Sequence, residues 1–267
     1  MNRIEATWTR LAAEKRKALI LYLTVGFPER DTALELVPRL VAAGADMVEL
    51  GVPFSDPLAE GVTIQGATQR ALSNGVTMRY CMETAHQLRE AGLDAPLLFM
   101  GYMNPMLRYG MQRFCSDAQA AGVDGLIFPD LPPEESGELD AACREHQLDL
   151  IQFLAPTSTE ARIAHVAEHA RGFIYCVSVK GVTGAREGLS PELPGFLERV
   201  RMRTTTPLAV GFGISRPEHA RRVAQLADGV IVGSALIDLL GRGGDVEAFV
   251  GGLRVGMDTN EGIEHRT

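Results

Sequence analysis

The chain has 267 residues, 46% of them hydrophobic, which supplies core for one large barrel or two small domains and excludes a disordered chain. Its 34 acidic residues outnumber 26 basic ones, for a formal net charge of −8, and the basic residues form no concentrated run. Nucleic acid is therefore not an expected partner, because nothing gathers cations against a phosphate backbone.

In chain order, an amphipathic helix is predicted over 3–15. Short apolar runs then recur at 19–24, 47–50, 96–100, 125–128, 148–153, 173–177, 207–210 and 229–232. Helical patterns lie between them at 31–43, 79–91, 111–121, 134–146, 159–170, 191–203 and 217–226. Apolar runs without strict alternation suit strands covered on both faces. Eight strand–helix units in about 250 residues match an α/β fold of the (β/α)8 TIM barrel type, here with an extra N-terminal helix. A doubly wound open sheet is the alternative. The pattern Ala-Gly-hydrophobic-Asp at 43–46 and again at 121–124 reads as one helix-to-strand connection used twice, with Gly as the helix stop, and favours a single barrel domain over 1–267.

Helix starts are expected at the capping signals 215–218 and 157–160, and the polar stretch 256–267 is expected to fray. The apolar run 18–25 is too short to span a bilayer and is not followed by a cleavage-site pattern, so neither a membrane span nor export is expected. Cys81, Cys115, Cys143 and Cys176 form no Cys-x-x-Cys pair and read as buried thiols of a cytoplasmic protein.

The strand at 47–50 carries Glu49, and the loop after it carries Glu60. Alternation puts Glu49 on the face of Met47, where a carboxylate is costly unless something uses it and where burial would raise its pKa towards acid–base duty. In a barrel the strand ends converge, so both glutamates belong to one mouth. The alternative is that Glu49 pairs with a barrel cation and Glu60 is a solvated loop charge; only Lys180 ends another strand. Glycines cluster at 181–184, 211–215 and 233–234, after strands six, seven and eight, where backbone N–H groups and a helix N-terminus can cup a phosphate. The stretch 181–188, with Thr183 and Arg186, reads as a lid over substrate or as a plain surface loop. His165, Glu168 and His169 match zinc-helix spacing, but they fall on an outer helix with no third ligand, so no metal is expected.

The segments 49–59, 101–105, 128–132, 181–184 and 211–215, in this order across nearly the whole chain, closely resemble the alpha subunit family of tryptophan synthase. The resemblance implies a lyase that splits indole-3-glycerol phosphate by a retro-aldol step into indole and glyceraldehyde 3-phosphate, without a cofactor of its own. It gives Glu49 the proton transfers, and gives Glu60 the indole N–H and the positive charge developing on the ring. The family's commoner residue at position 60 is aspartate, and Val62 stands where it usually has proline.

By the same resemblance Gly184, Gly213, Gly233 and Ser234 would hold the phosphate, while Tyr175, Phe212, Met100, Ile127, Ile64 and Ile231 would line the substrate cavity. Plain barrel core is the alternative for the apolar ones. Thr183 would orient Glu49. The implied partner is a pyridoxal-phosphate beta subunit in an alpha-beta-beta-alpha heterotetramer, met by Pro53, Asp56 and the loop 103–107, with Asp130 coupling that surface to the site. Ordinary turn chemistry is the other reading of Asp56 and Asp130. A catalytically weak barrel that regulates the beta subunit, and a free-standing indole-releasing lyase, are the competing functions.

Overall fold

The computed structural model describes residues 2–177, 190–211 and 213–259. Eight parallel strands, β1 (Ala18–Thr24), β2 (Met47–Gly51), β3 (Leu97–Met100), β4 (Gly125–Ile127), β5 (Asp149–Leu154), β6 (Ile174–Val177), β7 (Leu208–Gly211) and β8 (Gly229–Val232), pair in sequence order. The sheet closes because β8 pairs with β1, with Ala18 opposite Gly229 and Leu21 opposite Val232, so the open doubly wound sheet is excluded. Each strand lies within one residue of the apolar run that predicted it.

Around the barrel lie α1 (Arg3–Ala13), α2 (Thr32–Ala42), α3 (Val62–Ser73), α4 (Met78–Glu90), α5 (Met103–Tyr109) and α6 (Met111–Ala120). They are followed by α7 (Gly137–Glu145), α8 (Glu160–His169), α9 (Leu193–Arg201), α10 (Pro217–Ala224), α11 (Ser234–Gly241) and α12 (Val246–Asp258). Four of these, α3, α5, α11 and α12, have no counterpart among the helices expected from sequence. The α3 helix buries only Ala67, Thr68 and Ala71, too narrow an apolar stripe to announce itself. In α5, seven residues long, Pro105 hides the helix by sitting in its first turn, where a proline is tolerated. The segment 103–107, read as a loop, is therefore helical.

The helix stops at Gly44 (φ +121°) and Gly122 (φ +83°) fall where the repeated pattern put them. Two caps sit further along than expected: Arg216 rather than Ser215 precedes α10, and Thr159 caps α8 by accepting the Arg162 N–H. The expected frayed tail begins too early, because α12 continues to Asp258; residues 260–267 lie outside the described residues.

The core has two shells. Outward strand residues pack under the helices, while Ile20, Met47, Leu98, Ile127, Ile151, Phe173, Ala209 and Ile231 fill the barrel interior. Ile4, Trp8 and Leu11 of α1 plug its lower end, and Gly229 leaves room there for the Trp8 ring, which a Cβ would approach to a tight 3.0 Å. At this end three aspartates that precede strands repeat one device. Asp46, Asp124 and Asp228 accept the N–H groups of Leu19, Leu97 and Leu208, and pair with Arg10 and Arg254, Arg3 and Arg89, and Arg201 respectively. The lower end is thus sealed and its backbone donors satisfied, which leaves the opposite mouth for chemistry.

All four cysteines are buried free thiols. On α8, His165 Nε2 lies 3.2 Å from the Pro133 carbonyl and His169 Nδ1 lies 2.8 Å from the His165 carbonyl. No group of three metal-type side chains occurs among the described residues. None of the described helices is long and apolar enough to cross a membrane.

Candidate active site at the barrel mouth

Strand pleat carries Glu49 inward, since Met47 two residues earlier belongs to the interior shell. Glu49 is fully buried, level with Tyr22 on β1 and Leu98 on β3. Neither of its carboxylate oxygens has a hydrogen-bond partner among the described residues. Burial raises its pKa to about 8, and the charge of Glu60 adds to the effect. Glu60, on the loop between β2 and α3, is itself pushed up to about 7 by burial. Among the described residues no cation pairs with either glutamate, so the barrel ion pair weighed for Glu49 is not seen there; Lys180 lies outside those residues.

Two tyrosines frame the carboxylates. Tyr22 is buried, with its hydroxyl 3.2 Å from Thr24 Oγ1, and a Cβ on Gly51 would fall 2.3 Å from that hydroxyl. Tyr175 repeats the arrangement on β6, its hydroxyl 2.6 Å from where a Gly211 Cβ would stand. Burial drives both phenols well above their ordinary range, helped by the two glutamate charges, so both remain neutral hydroxyls. The Phe153 ring tilts against Tyr175 with centroids 4.7 Å apart.

Of the expected wall residues, Ile127 and Ile231 are buried in the interior shell and Met100 packs against it from the end of β3. Ile64 stands on the first turn of α3 and packs against the outer shell, the cluster that includes Tyr22. Gly213 adopts φ +74°, the left-handed region that favours glycine, after β7. Gly233 caps α11 and Ser234 opens it, so free N–H groups gather at the end of β8. Thr183, Gly184, Arg186 and Phe212 lie outside the described residues, and with them the whole of the expected lid at 181–188.

Outside the mouth, Pro53 is half-buried and Asp56 exposed on the β2 loop. Asp130 accepts the Met103 N–H at 3.0 Å and so caps α5. Tyr22 and Tyr102 join the site without having been expected from sequence. The signal for Tyr22 was a phenol in an apolar strand, but only barrel register shows that it faces Glu49.

A closed barrel whose mouth holds two carboxylates that no described cation pairs, with glycine turns beyond them, defines a (β/α)8 enzyme of the acid–base kind. Residues 8–251 match the family model described as Tryptophan synthase alpha chain, and the chain belongs to that family. The tryptophan synthase alpha chain of Chloroflexus aggregans is 59% identical over 242 residues, covering 91% of each chain. That of Roseiflexus castenholzii is 58% identical over 240 residues, 90% of this chain and 92% of the relative. Among solved structures, tryptophan synthase subunit alpha from Legionella pneumophila superposes with a TM-score of 0.89 at 38% identity, covering 97% of this chain and 99% of that one. A chain of Mycobacterium tuberculosis tryptophan synthase gives 0.89 at 41% identity, with the same coverage.

Proposed function

We propose that Glu49 and Glu60 divide the chemistry of one carbon–carbon cleavage. As a tryptophan synthase alpha chain, the protein is a lyase of tryptophan biosynthesis that cleaves indole-3-glycerol phosphate to indole and glyceraldehyde 3-phosphate. The reaction needs a proton placed on the indole ring carbon that bears the side chain, then a proton taken from the adjacent side-chain hydroxyl. The hydroxyl oxygen becomes the aldehyde, and the electron pair of the breaking bond returns to the ring.

A carboxylic acid that is still protonated at neutral pH can give the first proton and, as carboxylate, take the second. Glu49, with a pKa of about 8, suits that double duty. Glu60, ionised more readily, accepts the indole N–H and offsets positive charge on the ring. The single observation carrying this reading is a fully buried glutamate whose two oxygens have no described partner.

Backbone N–H groups of Gly184, Gly213, Gly233 and Ser234 hold the phosphate, and Tyr175, Phe212, Met100, Ile127, Ile231 and Ile64 bound the indole. Thr183 orients Glu49. The chain uses no cofactor of its own and no metal. Its partner is the beta subunit, which carries pyridoxal phosphate and receives indole, in an alpha-beta-beta-alpha assembly in the cytoplasm. Leu58 and Val62 on either side of Glu60 and Leu107 on α5 are exposed apolar side chains of the kind suited to that contact, and Asp130, bonded to the start of α5, would couple it to the mouth.

Indole release from indole-3-glycerol phosphate, measured alone and with a beta subunit plus serine, tests the reading. Low activity that rises strongly with the partner is expected. Binding of the partner without cleavage in either case would favour the regulatory barrel, and cleavage without any binding would favour the free-standing lyase.

A further inference from the structure

The loop that carries Glu60 has little of its own to hold it. Leu58 is 92% exposed, Ala59 is exposed, and Val62 rather than a proline follows Gly61, so φ is free there. Two side chains from outside the loop nevertheless fix its backbone. The Tyr102 hydroxyl, just beyond β3, accepts the Ala59 N–H at 3.0 Å. Gln65, in the first turn of α3, donates through Nε2 to the Glu60 carbonyl at 2.9 Å. Within the loop the Glu60 N–H closes a turn onto the Pro57 carbonyl at 3.1 Å.

Tyr102 is well placed for such a task. It is 6% exposed, its ring tilts against Phe54 with centroids 5.5 Å apart, and it therefore holds the loop at its start as well as near its end. Burial raises the pKa of the phenol, and the charge of Glu60 adds to the effect. The backbone behind Tyr102 is anchored in turn, through the Met103 N–H on Asp130.

We propose that Tyr102 and Gln65 are positioning residues that clamp the backbone on either side of Glu60 and so hold its carboxylate in register with the indole ring, in place of the stiffness a proline at position 62 would supply. The proposal rests on the role given above to Glu60. Neither residue takes part in proton transfer; each acts by narrowing the range of positions that Glu60 explores, and misplacement of a working group by about an ångström is enough to lower the rate strongly.

The test is steady-state cleavage of indole-3-glycerol phosphate by the complex with the beta subunit, comparing Tyr102→Phe, Gln65→Ala, Glu60→Gln and the Tyr102→Phe/Glu60→Gln double variant. Tyr102→Phe keeps the ring against Phe54 and removes only the acceptor. It is expected to lower kcat about tenfold with KM within about twofold and an unchanged melting temperature, and Gln65→Ala to act in the same direction. In the Glu60→Gln background the tenfold effect should vanish, because nothing is left to position. Wild-type kcat in Tyr102→Phe beside an impaired Glu60→Gln overturns the clamp alone, as does an undiminished tenfold loss in the double variant. Wild-type cleavage by Glu60→Gln overturns the role of Glu60, and the clamp with it.

Discussion

Glu49 and Tyr22 stand opposite each other as register partners of β1 and β2, and the Tyr22 hydroxyl occupies the space above Gly51, the last residue of β2. The carboxylate is thereby walled by a neutral phenol, and no cation pairs with it among the described residues. Nothing described there offsets the cost of a buried charge, which is why the acid form persists to about pH 8. The same relationship sets what substitutions in the mouth should do.

Replacement of Glu49 by Gln removes the proton carrier while keeping its size. Cleavage of indole-3-glycerol phosphate should fall by about 10²- to 10⁴-fold, mostly in kcat, in assays with the beta subunit present. A variant that cleaved at the parent rate would end the assignment.

The same substitution should stabilise the fold in a pH-dependent way. The folded pKa of about 8 lies above the ordinary value of 4.5, so below pH 4.5 both states are protonated and Glu49 carries no ionisation penalty. As pH rises from 4.5 to 8 the unfolded chain ionises first and stability is lost. Glu49→Gln escapes that loss, so its advantage should be absent near pH 4 and grow to a few kcal/mol near pH 8, on the order set by about 1.4 kcal/mol for each tenfold difference in proton affinity between the folded and unfolded chain. Denaturant melts of both proteins across this range would show it; a constant offset would contradict it.

Activity should peak in a narrow window. On the proposed division of roles Glu60 works ionised and Glu49 starts protonated, so kcat/KM should rise through about pH 7 and fall through about pH 8. In Glu60→Gln the rising limb should disappear from the pH profile, at a lower plateau, while the falling limb persists but moves to lower pH, because the Glu60 charge that helps to raise the Glu49 pKa is gone.

Gly51→Ala should disturb the mouth without touching a charged group. Its Cβ would lie 2.3 Å from the Tyr22 hydroxyl and 2.6 Å from the ring carbon bearing it, inside a buried and rigid phenol. A cost of about 1–3 kcal/mol in chemical denaturation is expected. Tyr22→Phe should not relieve it, because the ring carbon remains too close, whereas Tyr22→Leu in the same chain should recover part of the loss.

At the opposite end, Asp124→Ala should destabilise the fold by about 3 kcal/mol. It leaves the largely buried Arg89 guanidinium without its carboxylate, though still on the Gly122, Leu93 and Ala95 carbonyls, and the Leu97 N–H without its side-chain acceptor. The KM for substrate should be unchanged in the fraction that folds, since this aspartate seals the lower end of the barrel. Melting temperature and KM measured on one preparation separate the two effects.

Eight apolar runs, their spacing and the glycine stops at Gly44 and Gly122 were legible in the sequence because they are local: strand burial and helix termination leave their mark on the residues that make them. Glu49 was legible for the same reason, as a carboxylate in an apolar strand. The helices α3, α5 and α11 were not, since a narrow stripe of small residues, an early proline or an apolar run without polar faces gives no clear helical period; α12 does carry a helical stripe, Val246, Val250, Leu253 and Met257, legible in the sequence but lying beyond the last predicted helix. Tertiary structure alone decided that β8 meets β1, that Tyr22 faces Glu49, and that Tyr102 reaches across from the end of β3 to the Ala59 peptide. Those neighbours lie tens or hundreds of residues apart in the chain, and only closure of the sheet, with its fixed register, brings them within hydrogen-bonding and electrostatic reach of one another.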